Sequence, residues 1–97
     1  MADTAHGTGI SAERPRLAPG VRLHFDANRD AWVLLCPERV IETEGPASEI
    51  LRRCDGTRTV DEIVSELAAA YTADRDVIAA DVTELLAELA AKRLVVT

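Results

Sequence analysis

The sequence predicts an α+β fold, winged helix-turn-helix-like, with a three-stranded antiparallel sheet followed by three helices. Three observations carry this. Between Val21 and Thr43 the chain reads as three short strands, the first with a two-residue apolar period, the second apolar throughout and the third shorter and more polar. From Ala47 onward they recur at three- and four-residue spacings, the period of a helix with one buried face. Proline, glycine and capping residues stand at the junctions. Strands grouped ahead of helices, instead of alternating with them, place the chain in the α+β class.

The elements follow in order. Met1–Arg14 is rich in Ala, Gly, Thr and Ser without periodicity, and Arg14–Gly20 is extended by its prolines, since the residue before proline avoids helical geometry. Residues 1–16 are therefore expected to form a flexible tail or linker, and residues 17–97 a single domain. Val21, Leu23 and Phe25 alternate with Arg22, His24 and Asp26, predicting a strand with one buried face. Ala27–Asp30 makes a turn. Trp32–Cys36 is apolar on both alternations, as a middle strand is, and Pro37 ends it because proline cannot donate to a ladder. Arg39–Thr43 is shorter and more polar, an edge strand.

Gly45-Pro46 opens the first helix with proline at its first position. Ala47, Ile50, Leu51 and Cys54 mark its buried stripe, and Gly56 suits the left-handed residue beyond its end. Thr59 and Glu62 form a capping box for the second helix, whose stripe is Val60, Ile63, Val64, Leu67 and Tyr71. Asp74 caps a longer third helix carrying Ile78, Val82, Leu85, Leu86 and Leu89 on one face. Lys92 and Arg93 are expected in its last turn, where cations complement the helix dipole. Leu94–Val96 is a strand stub or an apolar strip laid on the core.

Composition excludes several classes of function. Hydrophobic residues make up 47% of the 97 and aromatics only 3%, so one core must be built from aliphatic side chains. Seventeen acids against eleven bases give a net charge of −6, which argues against nucleic acid and anionic membrane as partners. The proportions of the helices raise a winged-helix transcriptional regulator as the alternative reading. Its groove-reading helix would need basic residues. Between Asp74 and Ala91 the chain instead carries Asp74, Asp76, Asp81, Glu84 and Glu88 against Arg75 alone.

No apolar run reaches the roughly 18 residues of a membrane span, and Met1–Arg14 lacks the apolar core of a secretion signal. A cytoplasmic location is expected. Cys36 and Cys54 supply neither a disulfide framework nor a zinc site; both fall on apolar stripes and read as core residues, with a redox pair as the alternative. His6 lies in the tail and His24 on the solvent side of a strand. No nucleophile stands beside a base. The chain is expected to be no enzyme, and to need no cofactor or metal.

An open edge at Arg39–Thr43 offers unpaired amides and carbonyls to an incoming extended peptide. The competing reading is a protected edge, because Pro37, Arg39 and Glu42 are residues that discourage pairing. On the third helix Val77, Asp81, Glu84 and Glu88 form a strip beside the core stripe, which borders either a groove or open water.

Three segments bear a family resemblance: Leu35-Cys36-Pro37-Glu38-Arg39-Val40, Ala47-Ser48-Glu49-Ile50-Leu51, and Cys54-Asp55-Gly56-Thr57-Arg58-Thr59-Val60-Asp61-Glu62-Ile63. Together they resemble the PqqD family, the D proteins of pyrroloquinoline quinone (PQQ) biosynthesis, over about Leu17 to Val96. The Cys-Asp-Gly segment running into Thr-Val-Asp-Glu-Ile is the most specific part. Glu44-Gly45-Pro46 departs from the Asn or Ser and Thr expected ahead of the first helix. The resemblance implies a non-enzymatic, peptide-recognition domain over residues 17–97. Such proteins bind the precursor peptide of PQQ and present it to a radical SAM enzyme that crosslinks a Glu and a Tyr within that peptide, and the resemblance implies the same role here. The peptide would add to the last strand of the sheet, beside the third helix. The matching peptide-binding positions are Arg39, Val40, Ile41, Glu42 and Thr43, with Val77, Asp81 and Glu84 bordering them.

Overall fold

The computed structural model describes residues 12–43 and 46–97. In chain order these form β1 (Arg16–Leu17), β2 (Arg22–Asp26), β3 (Ala31–Leu35), β4 (Val40–Glu42), α1 (Ala47–Leu51), α2 (Val60–Tyr71), α3 (Arg75–Ala91) and β5 (Val95–Val96). The fold is α+β. β2, β3 and β4 make an antiparallel sheet with β3 in the centre, and the three helices follow it.

Register places side chains as the sequence alternation requires. Leu23, Leu34 and Ile41 lie abreast and face the helices, whereas His24, Val33 and Glu42 lie abreast on the other face. β3 buries both alternations, Val33 and Leu34 each being 1% exposed, which is why its sequence is apolar throughout. The β2–β3 turn is held by Asp26, whose carboxylate accepts from the Asn28 amide at 3.0 Å. The core joins Leu34 to Ile50, Leu51 and Cys54, to Val60, Ile63, Val64 and Leu67 of α2, and to Val82, Leu86 and Leu89 of α3. No polar or charged side chain is buried among the described residues.

Several expectations are corrected. β1 and β5 pair as a second, two-stranded antiparallel sheet, so the stub at the chain's end closes on the lead-in. Residues 1–11 of the expected tail lie outside the described residues. The remainder, 12–16, is tied down: Pro15 is buried, its carbonyl accepts from the Gly56 amide at 3.0 Å, and that of Glu13 accepts from Val60 at 2.9 Å. The first helix ends at Leu51, not at Asp55. Cys54 is therefore buried beyond the helix, in a turn where its amide bonds back to the Leu51 carbonyl at 3.0 Å. Pro46 is the cap residue instead of the first helical one, and Gly45 lies outside the described residues.

Cys36 falls one residue past β3, and β4 is one residue shorter at each end than Arg39–Thr43. Phe25 and Tyr71 were expected in the core but are 41% and 54% exposed. Each sits where its element outruns the layer packed against it, and Phe25 rests edge-on against Trp32 instead. Lys92 and Arg93 come after the last turn of α3. Lys92 is the cap residue, and Arg93 adopts a left-handed backbone at φ 63°.

Candidate functional site: an open strand edge above a cleft

β4 has β3 on one side only. Its hydrogen bonding can be read residue by residue, because successive amides of an antiparallel strand point to opposite sides. The Arg39 carbonyl accepts from the Cys36 amide at 2.9 Å, and the Thr43 amide donates to the Trp32 carbonyl at 3.2 Å. Arg39 and Thr43 therefore face β3, and by alternation so does Ile41, which lies opposite Leu34. The amides and carbonyls of Val40 and Glu42 face outward. That arrangement is the template an added strand needs.

Beneath this edge a cleft of about 350 Å³ opens between β4 and α3. Ile41, Glu42 and Thr43 line one wall, Ala47 and Leu51 of α1 the end, and Leu85, Glu88, Leu89 and Lys92 the opposite wall. The cleft does not stop there. Leu94 is shared with a second hollow of about 360 Å³ at the β3–β4 hairpin, lined by Cys36, Pro37, Glu38 and Arg39. At the other end, Pro46, Tyr71, Ile78 and Asp81 border a third hollow of about 350 Å³. Pro46 is next to Ala47 in the chain and Asp81 lies one turn before Leu85, so the third hollow neighbours the first on the side of the N-terminal half of α3.

The predicted positions are distributed as follows. Arg39, Ile41, Glu42 and Thr43 all line hollows, and Val40 is 56% exposed on the opposite face of the sheet. Glu42 is ion-paired with Arg29 from the β2–β3 turn, and the Thr43 hydroxyl donates to the Trp32 carbonyl at 2.8 Å. On α3, Asp81 borders the third hollow, while Val77 and Glu84 are exposed. The wall facing β4 is formed by Leu85, Glu88, Leu89 and Lys92, one to three turns further along the helix. Sequence reading named Glu88 and Leu85 without assigning them to this wall. Residue number and a helical wheel give a residue's height and face on the helix but not where that helix crosses the sheet, so their position opposite β4 had no signal.

The Cys-Asp-Gly turn serves the fold. Gly56 has φ 84° and packs against Arg16, whose Cβ lies 3.5 Å from where a Gly56 Cβ would stand. The Thr57 hydroxyl and amide donate to Asp55 at 2.6 and 2.9 Å and hold its carboxyl below the usual carboxylate range, with Arg58 assisting. Arg53 and Arg58 both reach Glu66 of α2, at 3.1 and 3.0 Å, pinning the turn to that helix. The capping box is complete: the Thr59 hydroxyl accepts from the Glu62 amide at 3.1 Å, and the Glu62 carboxylate accepts from the Thr59 amide at 2.8 Å. Burial pushes the Cys54 thiol up to about 12, with the neighbouring Asp55 charge adding to it, so this cysteine is inert at neutral pH. Among the described residues no three His, Cys, Asp or Glu side chains gather as metal ligands, and no helix is long and apolar enough to cross a membrane.

Sheet, open edge and lined cleft together define a small α+β recognition domain of winged-helix type. Comparison with known proteins gives its family. The model of coenzyme PQQ synthesis protein D matches residues 31–95. A protein of Xanthomonas oryzae named PqqA binding protein is 52% identical over 84% of this chain and 88% of its own length. Another of that name, from Rhodopseudomonas palustris, is 48% identical over 88% and 83%. The solution structure of the PqqD part of Methylobacterium extorquens PqqCD, described as a stand-alone recognition element for ribosomally synthesized, post-translationally modified peptides, superimposes with a TM-score of 0.75. It is 43% identical, covering 86% of this chain and 88% of that one. The crystal structure of PqqD from Xanthomonas campestris gives a TM-score of 0.57 at 47% identity, covering 80% and 87%. The chain belongs to the PqqD family, a family of peptide-binding recognition elements and not of enzymes.

Proposed function

We propose that this protein binds the precursor peptide PqqA by strand addition to β4 and presents it to the radical SAM enzyme that crosslinks the peptide. The observation that carries the reading is the outward pair of backbone groups at Val40 and Glu42, placed above a cleft to which Ile41, Leu51, Leu85 and Leu89 contribute apolar lining. Main-chain hydrogen bonds along β4 supply affinity for an extended chain, and alternate side chains of that chain drop between β4 and α3, where Ile41, Leu85 and Leu89 receive them. The names of relatives about half identical over most of their length support PqqA as the occupant.

The peptide-contact positions are Arg39, Val40, Ile41, Glu42 and Thr43 on the edge, with Val77, Asp81 and Glu84 on α3. DNA reading is disfavoured by the same helix. Arg75, its one cation between residues 74 and 91, is held by Asp61 and Ser65 of α2. One titration separates these readings from a third, a small accessory fold acting on the finished cofactor: labelled protein against PqqA, duplex DNA and the quinone PQQ in parallel. Saturable binding of PqqA alone is expected. Binding of DNA or of the quinone with no response to PqqA would overturn the proposal.

A further inference from the structure

The hollow between Pro46, Tyr71, Ile78 and Asp81 carries one charged side chain, whereas the cleft under β4 mixes Glu42, Glu88 and Lys92 with its aliphatic residues. Pro46 and Ile78 give it aliphatic walls, Tyr71 an aromatic ring 54% exposed, and Asp81 a carboxylate. Ile50, Leu67 and Val82 form an apolar floor in the narrow space behind it. Asp81 makes no ion pair among the described residues. The surrounding field is negative. Asp76 and Glu84 are likewise without an ion pair, Asp74 is occupied with the helix cap, and Arg75 is consumed by Asp61. A hollow with aliphatic walls that also presents a carboxylate and an exposed tyrosine suits a lysine or arginine side chain, whose methylene stem wants apolar walls and whose cation wants the carboxylate.

We propose that this hollow is a subsite for one basic side chain of the bound peptide, lying N-terminal to the segment that pairs with β4. The inference rests on the strand-addition reading. Its direction comes from the sheet: β2, β3 and β4 are antiparallel throughout, and a further strand antiparallel to β4 runs from the Thr43 end toward Arg39. Residues preceding the paired segment then leave the edge past Thr43 and cross Pro46, which opens onto Asp81. Asp81 and Tyr71 thereby select peptides and set their register, a role separate from the backbone pairing.

The test is a double-mutant cycle read by calorimetric titration. The probe is synthetic PqqA, native or with its basic residues replaced singly by norleucine, against wild-type protein and Asp81→Asn. One replacement, N-terminal to the paired segment, should weaken binding about three- to fivefold at low salt, the range of a partly exposed ion pair. Asp81→Asn should cost the same factor with native peptide and nothing further with that norleucine peptide. The difference should shrink as salt is raised to about 0.5 M. Asp81 is exposed, so the variant should melt as wild type does, and Tyr71→Leu gives a second, charge-neutral probe of the same hollow. Equal affinity of wild type and Asp81→Asn for native PqqA, or losses that simply add, would overturn the subsite while leaving strand addition standing. Failure of wild-type protein to bind PqqA would instead remove the reading on which the subsite rests.

Discussion

Gly56 shows how one residue holds several elements. Its left-handed backbone turns the chain from Cys54 toward α2, its amide bonds to the Pro15 carbonyl at 3.0 Å, and β1 passes beside it at Arg16. The space would admit a methyl group, but the backbone would not: an L side chain at φ 84° is strained. Gly56→Ala should therefore lower stability by about 1–2 kcal/mol, measured by urea unfolding, without altering the sheet. Cys54 gives a second prediction at this scale. Its thiol is raised in the folded state, so between about pH 9 and pH 12 the folded protein holds a proton that the unfolded chain has lost. That contribution is complete below pH 9 and is lost as pH rises through the folded value, so alkaline destabilisation in this window should be smaller in Cys54→Ala than in wild type. Thiol reagents at neutral pH should modify the half-exposed Cys36 and spare buried Cys54 until the protein unfolds.

Among elements, β4 divides its backbone groups between the sheet and the open edge, which on the proposed reading separates fold from binding along a single strand. Arg39, Ile41 and Thr43 spend their backbone groups on β3, while Val40 and Glu42 hold theirs outward. Proline removes an amide donor, so its effect depends on parity. Val40→Pro and Glu42→Pro should leave the thermal transition close to wild type and weaken PqqA binding at least about tenfold, the equivalent of one charge-free hydrogen bond. Ile41→Pro should destabilise the sheet itself, and Ile41→Ala should cost binding only through the lost side chain. Equal binding by all three proline variants, each still folded, would exclude strand addition. At the same scale, Thr59→Ala should cost about 1 kcal/mol through the lost cap and leave peptide affinity unchanged, since the cap of α2 lies outside the cleft.

Most of this architecture was legible in the chain, for physical reasons. Two-residue alternation located β2, an unbroken apolar run ended by Pro37 located β3, a short polar stretch located β4, each to within a residue or so, and the capping box located the start of α2, because these signals are local. The β1–β5 clasp was not legible as a pair: two residues at each end of the chain carry no period, and only tertiary packing joins them. Tyr71 and Phe25 kept their pattern past the point where there was a neighbour to bury them. The end of α1 escaped because Cys54 continues a helical stripe that the backbone has already left. Of the candidate site, the edge could be read from polarity and from Pro37, whereas the wall of Leu85, Glu88, Leu89 and Lys92 depends on how α3 crosses the sheet.

At the scale of the whole molecule, the clasp and the core hold β4 and α3 in place, and on the proposed reading they form a preformed receptor for an extended peptide. Ordering such a segment costs on the order of 2–5 kcal/mol, and a presenter absorbs that cost before the enzyme engages. The protein alone should give no turnover of PqqA, yet below saturation it should raise the yield of crosslinked peptide when added to the radical SAM enzyme. Tethering the peptide to that enzyme should reduce the dependence, since tethering raises effective concentration. The central claim, that PqqA becomes a fourth strand on β4, is tested most directly by residue-resolved amide hydrogen exchange with and without peptide. The account predicts that the amides of Val40 and Glu42 exchange freely in the unbound protein and become protected on binding, while those of Ile41 and Thr43 are protected in both states. Saturating PqqA that leaves Val40 and Glu42 exchanging as before would contradict it.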